Sequence, residues 1–351
     1  MTPAAPSRSA RTPRLAQVAE LAGVSESTVD RVLNERGSVS DSMRLRVIAA
    51  ARQLELRRVL PSVHHGVLHI DVVMSNVNTP HYQRLEAALM SQVQMLGTRV
   101  SLHRMFWDEK DEAALIRFLE HPPHPRAGLL AFVRDVPPIR LALRHVQAQG
   151  IPVVTVTSDV TQIAPHPYAG IDNFKAGRAA GYLVGRFTHR PGSVLLYVAS
   201  TDFGDHRERV AGFRKVIHER FPHLDVREPV AHHDQPDMAH ASLDELLRQR
   251  DDVVAIYDTG SAAAGIAKAL RRRAPTPMPV WITHEATREH AELMARGKIA
   301  AVIDQDPEAQ AIQALQYILH QRGELDSPPP AGPTRFRIIT PEDVDPGELL
   351  A

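Results

Sequence analysis

From Leu68 onward, short apolar runs alternate with longer segments whose apolar residues recur every three or four positions. The first run is LHIDVVM at 68–74, and the helix-like segment TPHYQRLEAALMSQVQML follows it directly. Strands covered on both faces read as continuous apolar runs, and a helix returns the chain between parallel strands. The alternation therefore predicts an α/β body built from parallel sheets with helices on both faces.

The same alternation continues almost to the end of the chain. Further strands are predicted at TRVSLHR, AGLLAFV, IPVVTVT, SVLLYVAS, VVAIYDT, MPVWIT, IAAVIDQ and RFRII. Further helices are predicted at DEKDEAALIRFLE, RLALRHVQAQG, KAGRAAGYLVGRF, RERVAGFRKVIHERF, AAAGIAKALRRR, REHAELMARG and EAQAIQALQYILHQRG. This length of alternating elements predicts two parallel sheets, and therefore a body of two lobes.

A different pattern precedes the body, in the sequence LAQVAELAGVSESTVDRVLN at 15–34. Gly23 can end a first helix because glycine adopts the left-handed conformation without steric cost, and Ser25 can cap a second helix. The second helix has an inward face of Val29, Val32 and Leu33 and an outward face of Glu26, Ser27, Asp30 and Arg31. By spacing alone, this is either a helix-turn-helix or an ordinary helical hairpin.

A third helix is predicted after the loop at 37–40, with Ser40 as its cap. Its predicted apolar face comprises Met43, Val47, Ala50 or Ala51, and Leu54. Three helices within about 45 residues can share one small core, although a core of that size is marginal alone.

Charge and composition restrict the class of protein. The first 60 residues carry ten arginines and six acids, a net charge of +4, whereas the remainder has 31 basic and 35 acidic residues. A basic head on an acidic body suits a DNA-binding unit attached to a domain that does not contact DNA. The chain has no cysteine, which excludes disulfides and cysteine-ligated metal. No apolar run reaches membrane-spanning length, and no signal core is seen, so we expect a cytoplasmic protein without membrane contact.

The segment AQVAELAGVSESTVDRVLN, followed by VSDSMRLRVIAAARQL, resembles the DNA-binding head of the lactose-repressor (LacI) family of bacterial transcription regulators. The shared pattern spans both helices and the turn, so it is more discriminating than the spacing alone. The body resembles the periplasmic sugar-binding-protein fold that this family carries behind its head. Its markers are IPVVTVTSD, YAGIDNFKAGRAAGYL, RERVAGF and AAVIDQDP, so the resemblance covers nearly the whole chain from residue 14.

The resemblance implies a division of the chain. It predicts a disordered tail at 1–12, a helix-turn-helix domain at 13–55, a linker at 56–67 and an effector-binding domain at 68–345. Within that domain, lobe one is expected to comprise 68–171 and 306–328, and lobe two 172–305 and 334–345.

The resemblance also implies a function. The expected protein is a homodimeric repressor that binds a pseudo-palindromic double-stranded DNA operator. A small polar effector, a sugar or polyol held between the lobes, would control DNA binding. The resemblance implies neither a metal nor another cofactor.

On the recognition helix, the outward positions that reach base edges in the family are Glu26, Ser27 and Arg31. Arginine can pair with guanine and glutamate can accept from cytosine. Phosphate contacts are expected from Ser25, Thr28, Arg44 and Arg46, and from the linker residues Arg57 and Arg58. The linker departs from the family, because Pro61 directly follows Leu60 and disfavours the usual hinge helix there. We therefore expect a mostly non-helical, basic linker.

The effector cleft is expected beyond the carboxyl ends of the strands. Amides, carboxylates, arginines and aromatic rings at those ends suit a polyol, since they can bind neighbouring hydroxyls and cover a ring face. The predicted ligand-binding residues of lobe one are Asn76, Asn78, Tyr82, Trp107, Ser158 and Asp159, with Phe106 and Thr157 beside them. Those of lobe two are Asp172, Arg207, Arg209, Asp258, His284, Glu285 and Gln305, with Asp205 and Thr259 beside them.

The sequence disfavours two other functional classes. A sugar-acting enzyme is disfavoured because His284-Glu285 opens like HExxH, but Arg288 stands at the position of the second histidine. Nucleophile-elbow, Walker and GxGxxG motifs are also missing. A transported-solute carrier would share the body, but it would carry a signal peptide and lack residues 13–54. Departures from sugar-binding relatives, such as Thr157-Ser158, leave the effector's identity open.

Overall fold

The computed structural model describes residues 15–56, 60–61, 66–273 and 277–344. Its head begins with helices α1 (Leu15–Ala22), α2 (Glu26–Leu33) and α3 (Asp41–Gln53). Gly23 adopts a φ of +62° between the first two helices, as its position predicts. The hydroxyl of Ser25 accepts from the Thr28 amide at 3.2 Å, so the predicted cap of α2 is confirmed. Ser40 caps α3 in the same way.

The head's small core contains Val18, Val29, Val32, Val47 and Ala51, all at most 1% exposed. The expected apolar face of α3 is wrong at one position, because Met43 is 40% exposed. Arg44 takes the inward direction instead, and its guanidinium pairs with Glu35 at 2.9 Å. The phosphate contact expected of Arg44 is therefore a misassignment, since the side chain is buried and already engaged.

The described residues of the linker are not helical. Leu60 packs partly against the head core, and Pro61 follows it. The linker residues Arg57 and Arg58 lie outside the described residues, as does the tail at 1–12.

The first sheet of the body is parallel and has the strand order β2-β1-β3-β4-β5 in the described residues. Its strands are β1 (Leu68–Ser75), β2 (Val100–Trp107), β3 (Gly128–Ala131), β4 (Val153–Val156) and β5 (Tyr168–Ala169). The helices that follow these strands are α4 (Pro80–Leu96), α5 (Glu112–Glu120) and α6 (Pro137–Ala148). A later helix, α12 (Pro307–Gln321), also packs here. We call this unit the first lobe.

The second sheet has the order β12-β11-β10-β9-β6-β7 over the described ranges, with β8 beside β6. Its strands are β6 (Gly192–Val198), β7 (Leu224–Val226), β8 (Val230–Ala231), β9 (Val253–Asp258), β10 (Val280–His284), β11 (Ala301–Asp304) and β12 (Arg337–Ile339). Its helices are α7 (Asn173–Phe187), α8 (Gly204–Arg220), α9 (Pro236–Gln249), α10 (Ala263–Arg273) and α11 (Arg288–Ala295). We call this unit the second lobe. All its strand pairs are parallel except β11 with β12.

The chain passes between the lobes at three places. It enters the second lobe after Ile171, returns through α12 after Gln305, and re-enters near Thr334, which bridges to Ile171. Gly128 allows α12 to lie close to β3, because a Cβ there would stand 2.6 Å from Ile318. A helix from the end of the chain therefore completes the first lobe.

The predicted α/β fold class is confirmed, with parallel strands and intervening helices. The predicted elements omit β5, β7 and β8, which are too short to show a period. They also omit α9, although Ala239, Leu243 and Leu246 recur there at helical spacing. None of the helices in the described ranges is long and apolar enough to cross a bilayer.

Candidate functional site

A cavity of about 290 Å³ lies between the two lobes, next to the carboxyl ends of β1, β3, β4, β9, β10 and β11. The first lobe lines it with Asn78, Thr79, Pro80, His81, Tyr82, Phe132 and Thr157. The second lobe lines it with Asp205, His206, Arg209, Asp234, Pro236, Thr259, Gly260, Ser261, Ala263, Ala264, His284, Glu285, Thr287, Glu289, His290 and Gln305. Of the predicted ligand-binding residues, the structure brings together Asn78, Tyr82, Arg209, His284, Glu285 and Gln305 at this cavity.

Several predicted residues are instead used by local structure. Trp107 is 1% exposed in the core of the first lobe, where its Nε1 points to the Phe132 carbonyl at 3.4 Å. Asp172 caps α7 by accepting from the Lys175 amide. These side chains do not line the cavity, because packing and helix capping occupy them.

Other predicted residues lie near the cavity or at its edge without lining it. Asn76 is exposed after β1, and Asp159 binds Thr155 and His166. The Ser158 hydroxyl accepts a hydrogen bond from the backbone amide of Asp205, so it helps to position a residue that lines the cavity. Arg207 crosses between the lobes to Asp135 at 2.5 Å. Asp258 is buried beside His232 at 3.2 Å.

Some lining residues were not singled out from the sequence. Phe132 directly follows β3, and this position at the carboxyl end of a strand is the sequence signal that points to it. Asp234 follows β8, which the pattern did not reveal. His81 lies in the first turn of α4, one residue before Tyr82, so only the tertiary fold directs it to the cavity.

Arg209 organises the second lobe's side of the cavity. It is 2% exposed; its Nε donates to the Asn173 side chain at 2.8 Å, and Nη1 donates to the Thr259 carbonyl at 3.0 Å. Its Nη2 donates to Gln305 and lies 3.4 Å from Asp205. Gly177 makes this position possible, since a Cβ there would overlap the Arg209 carbonyl at 2.0 Å. The α7–α8 contact therefore sets where the guanidinium lies.

Asp205 and His206 stand together at the start of α8. Burial alone would raise the pKa of Asp205, but His206 and Arg209 hold it below its ordinary value. Burial lowers the pKa of His206, whose Nδ1 contacts the Thr259 hydroxyl at 2.7 Å. The site therefore holds a charged carboxylate beside a neutral imidazole near neutral pH.

A chain of hydrogen bonds joins the lobes. Gln310 Nε2 donates to the Gln305 carbonyl, so its Oε1 is the group that accepts from Thr157. The Thr157 hydroxyl is then the acceptor for His81 Nε2–H at 2.9 Å. His81 Nδ1 faces Glu285 across the lobes at 3.3 Å.

Two of these residues have strained backbones. Thr157 adopts a φ of +61° and Glu285 a φ of +71°, a conformation that residues other than glycine rarely adopt. Such strain persists only where the surroundings enforce it, and it concentrates at functional sites. Both residues lie at the cavity, one in each lobe.

His284 lies deeper in the second lobe. Its Nε2 contacts the Tyr257 hydroxyl at 2.8 Å. Burial, with a further contribution from Arg209, lowers the pKa of His284 well below its usual range. The imidazole is therefore a neutral hydrogen-bonding group.

The first lobe contributes an aromatic surface to the cavity. The rings of Tyr82 and Phe132 lie 4.7 Å apart, and Phe203 stacks on Phe132 at 5.3 Å. Aromatic faces of this kind cover the apolar side of a sugar ring while polar groups bind its hydroxyls. In the described part of the chain, no group of three or more histidine and acidic side chains could hold a metal ion.

The head presents a separate polar surface. Glu26, Ser27 and Arg31 are exposed on α2, on the face opposite its buried valines. Ser25 and Thr28 form a hydrogen-bonded group at the start of the same helix. Arg46 on α3 is also exposed. The head therefore offers one polar helix face flanked by basic residues.

Two known protein families match separate parts of the chain. Residues 70–324 match the periplasmic binding protein domain family, and residues 14–58 match the bacterial regulatory proteins of the lacI family. The first match covers well over half of the chain.

Two relatives come from Bacillus subtilis (strain 168). The transcriptional regulator DegA, of the helix-turn-helix type, is 24% identical over 210 residues, which is 58% of this chain and 60% of DegA. The uncharacterised regulator YkvZ, also of that type, is 36% identical over 98 residues, covering 27% of this chain and 30% of YkvZ. The chain thus spans less than two thirds of either relative.

Solved structures resemble the body. GanP, a glucose-galactose binding protein from Geobacillus stearothermophilus, has a TM-score of 0.71 at 19% identity, covering 80% of this chain and 99% of GanP. A transporter solute-binding protein from Agrobacterium vitis, with bound D-fucose, has a TM-score of 0.72 at 16% identity, and the match covers 80% of this chain and 98% of that protein. At these identities the likeness shows the fold. The chain therefore belongs to the periplasmic binding protein domain family through its body, and its residues 14–58 match the bacterial regulatory proteins of the lacI family.

Proposed function

We propose that this protein is a repressor that binds a specific double-stranded DNA operator and releases or tightens its hold when a small polar effector occupies the interlobe cavity. One observation carries the proposal: a capped α2 with an exposed polar face is joined to a two-lobed body that encloses a polar cavity. The protein acts by binding alone, in the cytoplasm with its DNA.

On the DNA side, Glu26, Ser27 and Arg31 of α2 read base edges in the major groove. Ser25, Thr28 and Arg46, with the linker residues Arg57 and Arg58, contact phosphates. The head carries a single such helix in its described part, and one helix reads only a few base pairs. We therefore propose a homodimer on a pseudo-palindromic operator, with half-sites about one helical turn apart or a multiple of it.

On the effector side, the ligand is a sugar or polyol that contacts both lobes. Arg209, Gln305, His284 and Glu285 bind its hydroxyls from the second lobe, and Tyr82 and Asn78 cover it from the first. Ligand contacts to both lobes stabilise the closed arrangement over an open one, since a ligand shifts an equilibrium only through such differential contacts.

Helix α12 connects the cavity to the head. It begins beside Gln305, and its far end reaches Gly323, whose carbonyl accepts from Arg52 Nη1 at 2.8 Å. Arg52 lies in α3 of the head and also pairs with Asp326. We propose that movement of α12 on lobe closure alters this contact and so the position of the head.

The proposal is tested first by selecting operator sequences from a random DNA pool with the full chain. A protein lacking residues 1–60 should lose specific binding while its body stays folded, since it then lacks the whole recognition helix. Retention of specific binding by the truncated protein contradicts the proposed function.

Substitution of one base-reading residue sharpens the test. Arg31→Ala should cost about 1–3 kcal/mol at one base position of each half-site if it reads a base. Arg271→Ala, on the exposed surface of the second lobe, serves as the control for a lost positive charge. A uniform loss over all sequences would assign Arg31 to phosphate contact instead.

A further inference from the structure

Two carboxylates at the cavity each have one buried oxygen atom without a hydrogen-bond donor in the described ranges. Asp205 is 3% exposed and Glu285 is 8% exposed, and both line the cavity. Asp205 Oδ1 and Glu285 Oε2 have no hydrogen-bond partner among the residues that the structure describes. A buried carboxylate oxygen without a donor is costly, so these atoms indicate a missing donor at this site.

Arg209 cannot supply both donors. Its guanidinium is already engaged by the Asn173 side chain, the Thr259 carbonyl and Gln305, as well as by Asp205 Oδ2 at 3.4 Å. Arg84 approaches Glu285 no closer than 3.9 Å, because it is shared between Asp304 and Glu308. The cavity wall therefore has more negative than positive charge.

The histidines at the cavity do not restore the balance. His206 and His284 are neutral near neutral pH, because burial lowers the pKa of each. His81 already contacts Thr157 through Nε2, and its Nδ1 faces Glu285 Oε1 at 3.3 Å, the oxygen that already accepts from Gln305, rather than the unpartnered Oε2. The lining thus offers acceptors in excess of donors, and Asp234 and Glu289 add further negative charge.

We propose that the effector carries a protonated amine among its hydroxyl groups, as an amino sugar or an aminated polyol does, and that the amine binds between Asp205 and Glu285. This inference rests on the proposed function and narrows its ligand class. An ammonium group donates three hydrogen bonds and accepts none, which matches the unpartnered acceptors. A sugar acid or sugar phosphate would instead add negative charge beside two buried carboxylates.

The experiment is calorimetry on the full-length protein with matched ligand series. Each series contains a parent sugar, its 2-amino-2-deoxy form and its uronic acid, for glucose, galactose and mannose, at a pH where the amine is protonated. In the series whose ring fits, the amino sugar should bind at least about tenfold more tightly than the parent, because a charge-assisted hydrogen bond replaces a neutral one. The uronic acid should bind less tightly than the parent.

Variants assign the preference to the proposed carboxylates. Glu285→Gln keeps the shape and an acceptor oxygen but removes the charge, so the preference for the amino sugar over its parent should disappear. Asp205→Asn is the second variant, should Glu285→Gln fail to fold as judged by thermal unfolding. Glu292→Gln, on α11 just after the loop that carries Glu285 and outside the cavity lining, should retain the full preference.

The outcomes separate this inference from the function on which it rests. The inference is overturned if a parent sugar or uronic acid binds more tightly than the amino sugar and alters operator binding. The proposed function as a ligand-controlled regulator is then still supported. Absence of binding by every amino sugar overturns the inference as well. Absence of specific operator binding both without and with the tested ligands overturns the proposed function, whereas the calorimetric preference is measured without DNA.

Discussion

The two lobes contribute different chemistry to one cavity. The second lobe supplies Arg209, which is held by Asn173, Thr259 and Gln305, all of its own lobe. The first lobe supplies mainly the rings of Tyr82 and Phe132. The charged half of the site is therefore held by contacts within the second lobe, and the first lobe faces it with an aromatic surface.

The two lobes also differ in how deeply each buries a histidine–aspartate pair. His232 and Asp258 in the second lobe are fully buried and lie 3.2 Å apart. His166 and Asp159 in the first lobe lie 2.9 Å apart, but the Asp159 side chain is 43% exposed. An ion pair gains or loses most when water cannot compensate, so we expect the His232–Asp258 pair to be more sensitive to loss of a partner than the His166–Asp159 pair.

The largest expected effect comes from breaking the second lobe's network. Arg209→Ala leaves Asp205 buried without its cation, which should lower the free energy of unfolding by about 3–5 kcal/mol, as for other broken buried pairs. Effector binding should weaken at least about tenfold, while operator affinity of the ligand-free protein changes little. Denaturant unfolding, calorimetry and DNA titration measure the three quantities.

The matched control for Arg209 is Arg214→Ala on the same helix. That guanidinium is 37% exposed and pairs with Glu228, which is 87% exposed, so its loss should cost less than about 1 kcal/mol. Equal costs for the two substitutions would contradict the assignment of a special role to the Arg209 network.

An intermediate effect is expected from the aromatic half. Tyr82→Ala removes ring surface that covers the ligand, so effector binding should weaken by about 1.5–3 kcal/mol, the value of burying one large apolar side chain. Tyr82→Phe keeps the ring and should cost less. If Tyr82→Phe costs as much as Tyr82→Ala, the hydroxyl rather than the ring makes the contact, and the contrast between the lobes is weaker.

The smallest effect concerns pH. Burial alone would lower the pKa of His166, but Asp159 raises it above its ordinary value. The stabilisation of the folded state that results is full below the pKa of the unfolded chain, and it is lost as the pH rises through the pKa of the folded state. The pKa of Asp159 is lowered despite burial, so its contribution is present above about pH 4 and is lost in acid. His166→Gln should therefore cost up to about 1 kcal/mol near about pH 5.5 and almost nothing near about pH 8.5.

The free energy of unfolding of His166→Gln, measured from about pH 5.5 to about pH 8.5, tests this prediction. The variant His232→Gln provides the comparison with a fully buried pair. The pKa of His232 is also raised, by Asp258 against burial, but this pair has no exposure to solvent. His232→Gln should therefore cost more than His166→Gln at pH about 5.5. The reverse order would show that burial does not govern these pairs.

Much of the fold was predictable because it depends on local periodicity. The apolar runs gave the strands of both sheets, and Gly23 with Ser25 gave the turn and cap of the head. Strands as short as β8 were not predictable, because two residues show no period and are held only by pairing with β6. Arg44 was expected to contact phosphate, yet its position on α3 turns it into the core.

The sequence alone determined that polar side chains collect at the carboxyl ends of parallel strands, since those ends share one edge of a sheet. It could not determine which of them stay available to a ligand. Asp172 was taken by a helix cap and Trp107 by the core, while His81 and Phe132 were directed to the cavity. That choice depends on contacts between segments distant in the chain, such as Gly177 against Arg209, and these exist only once both lobes are packed.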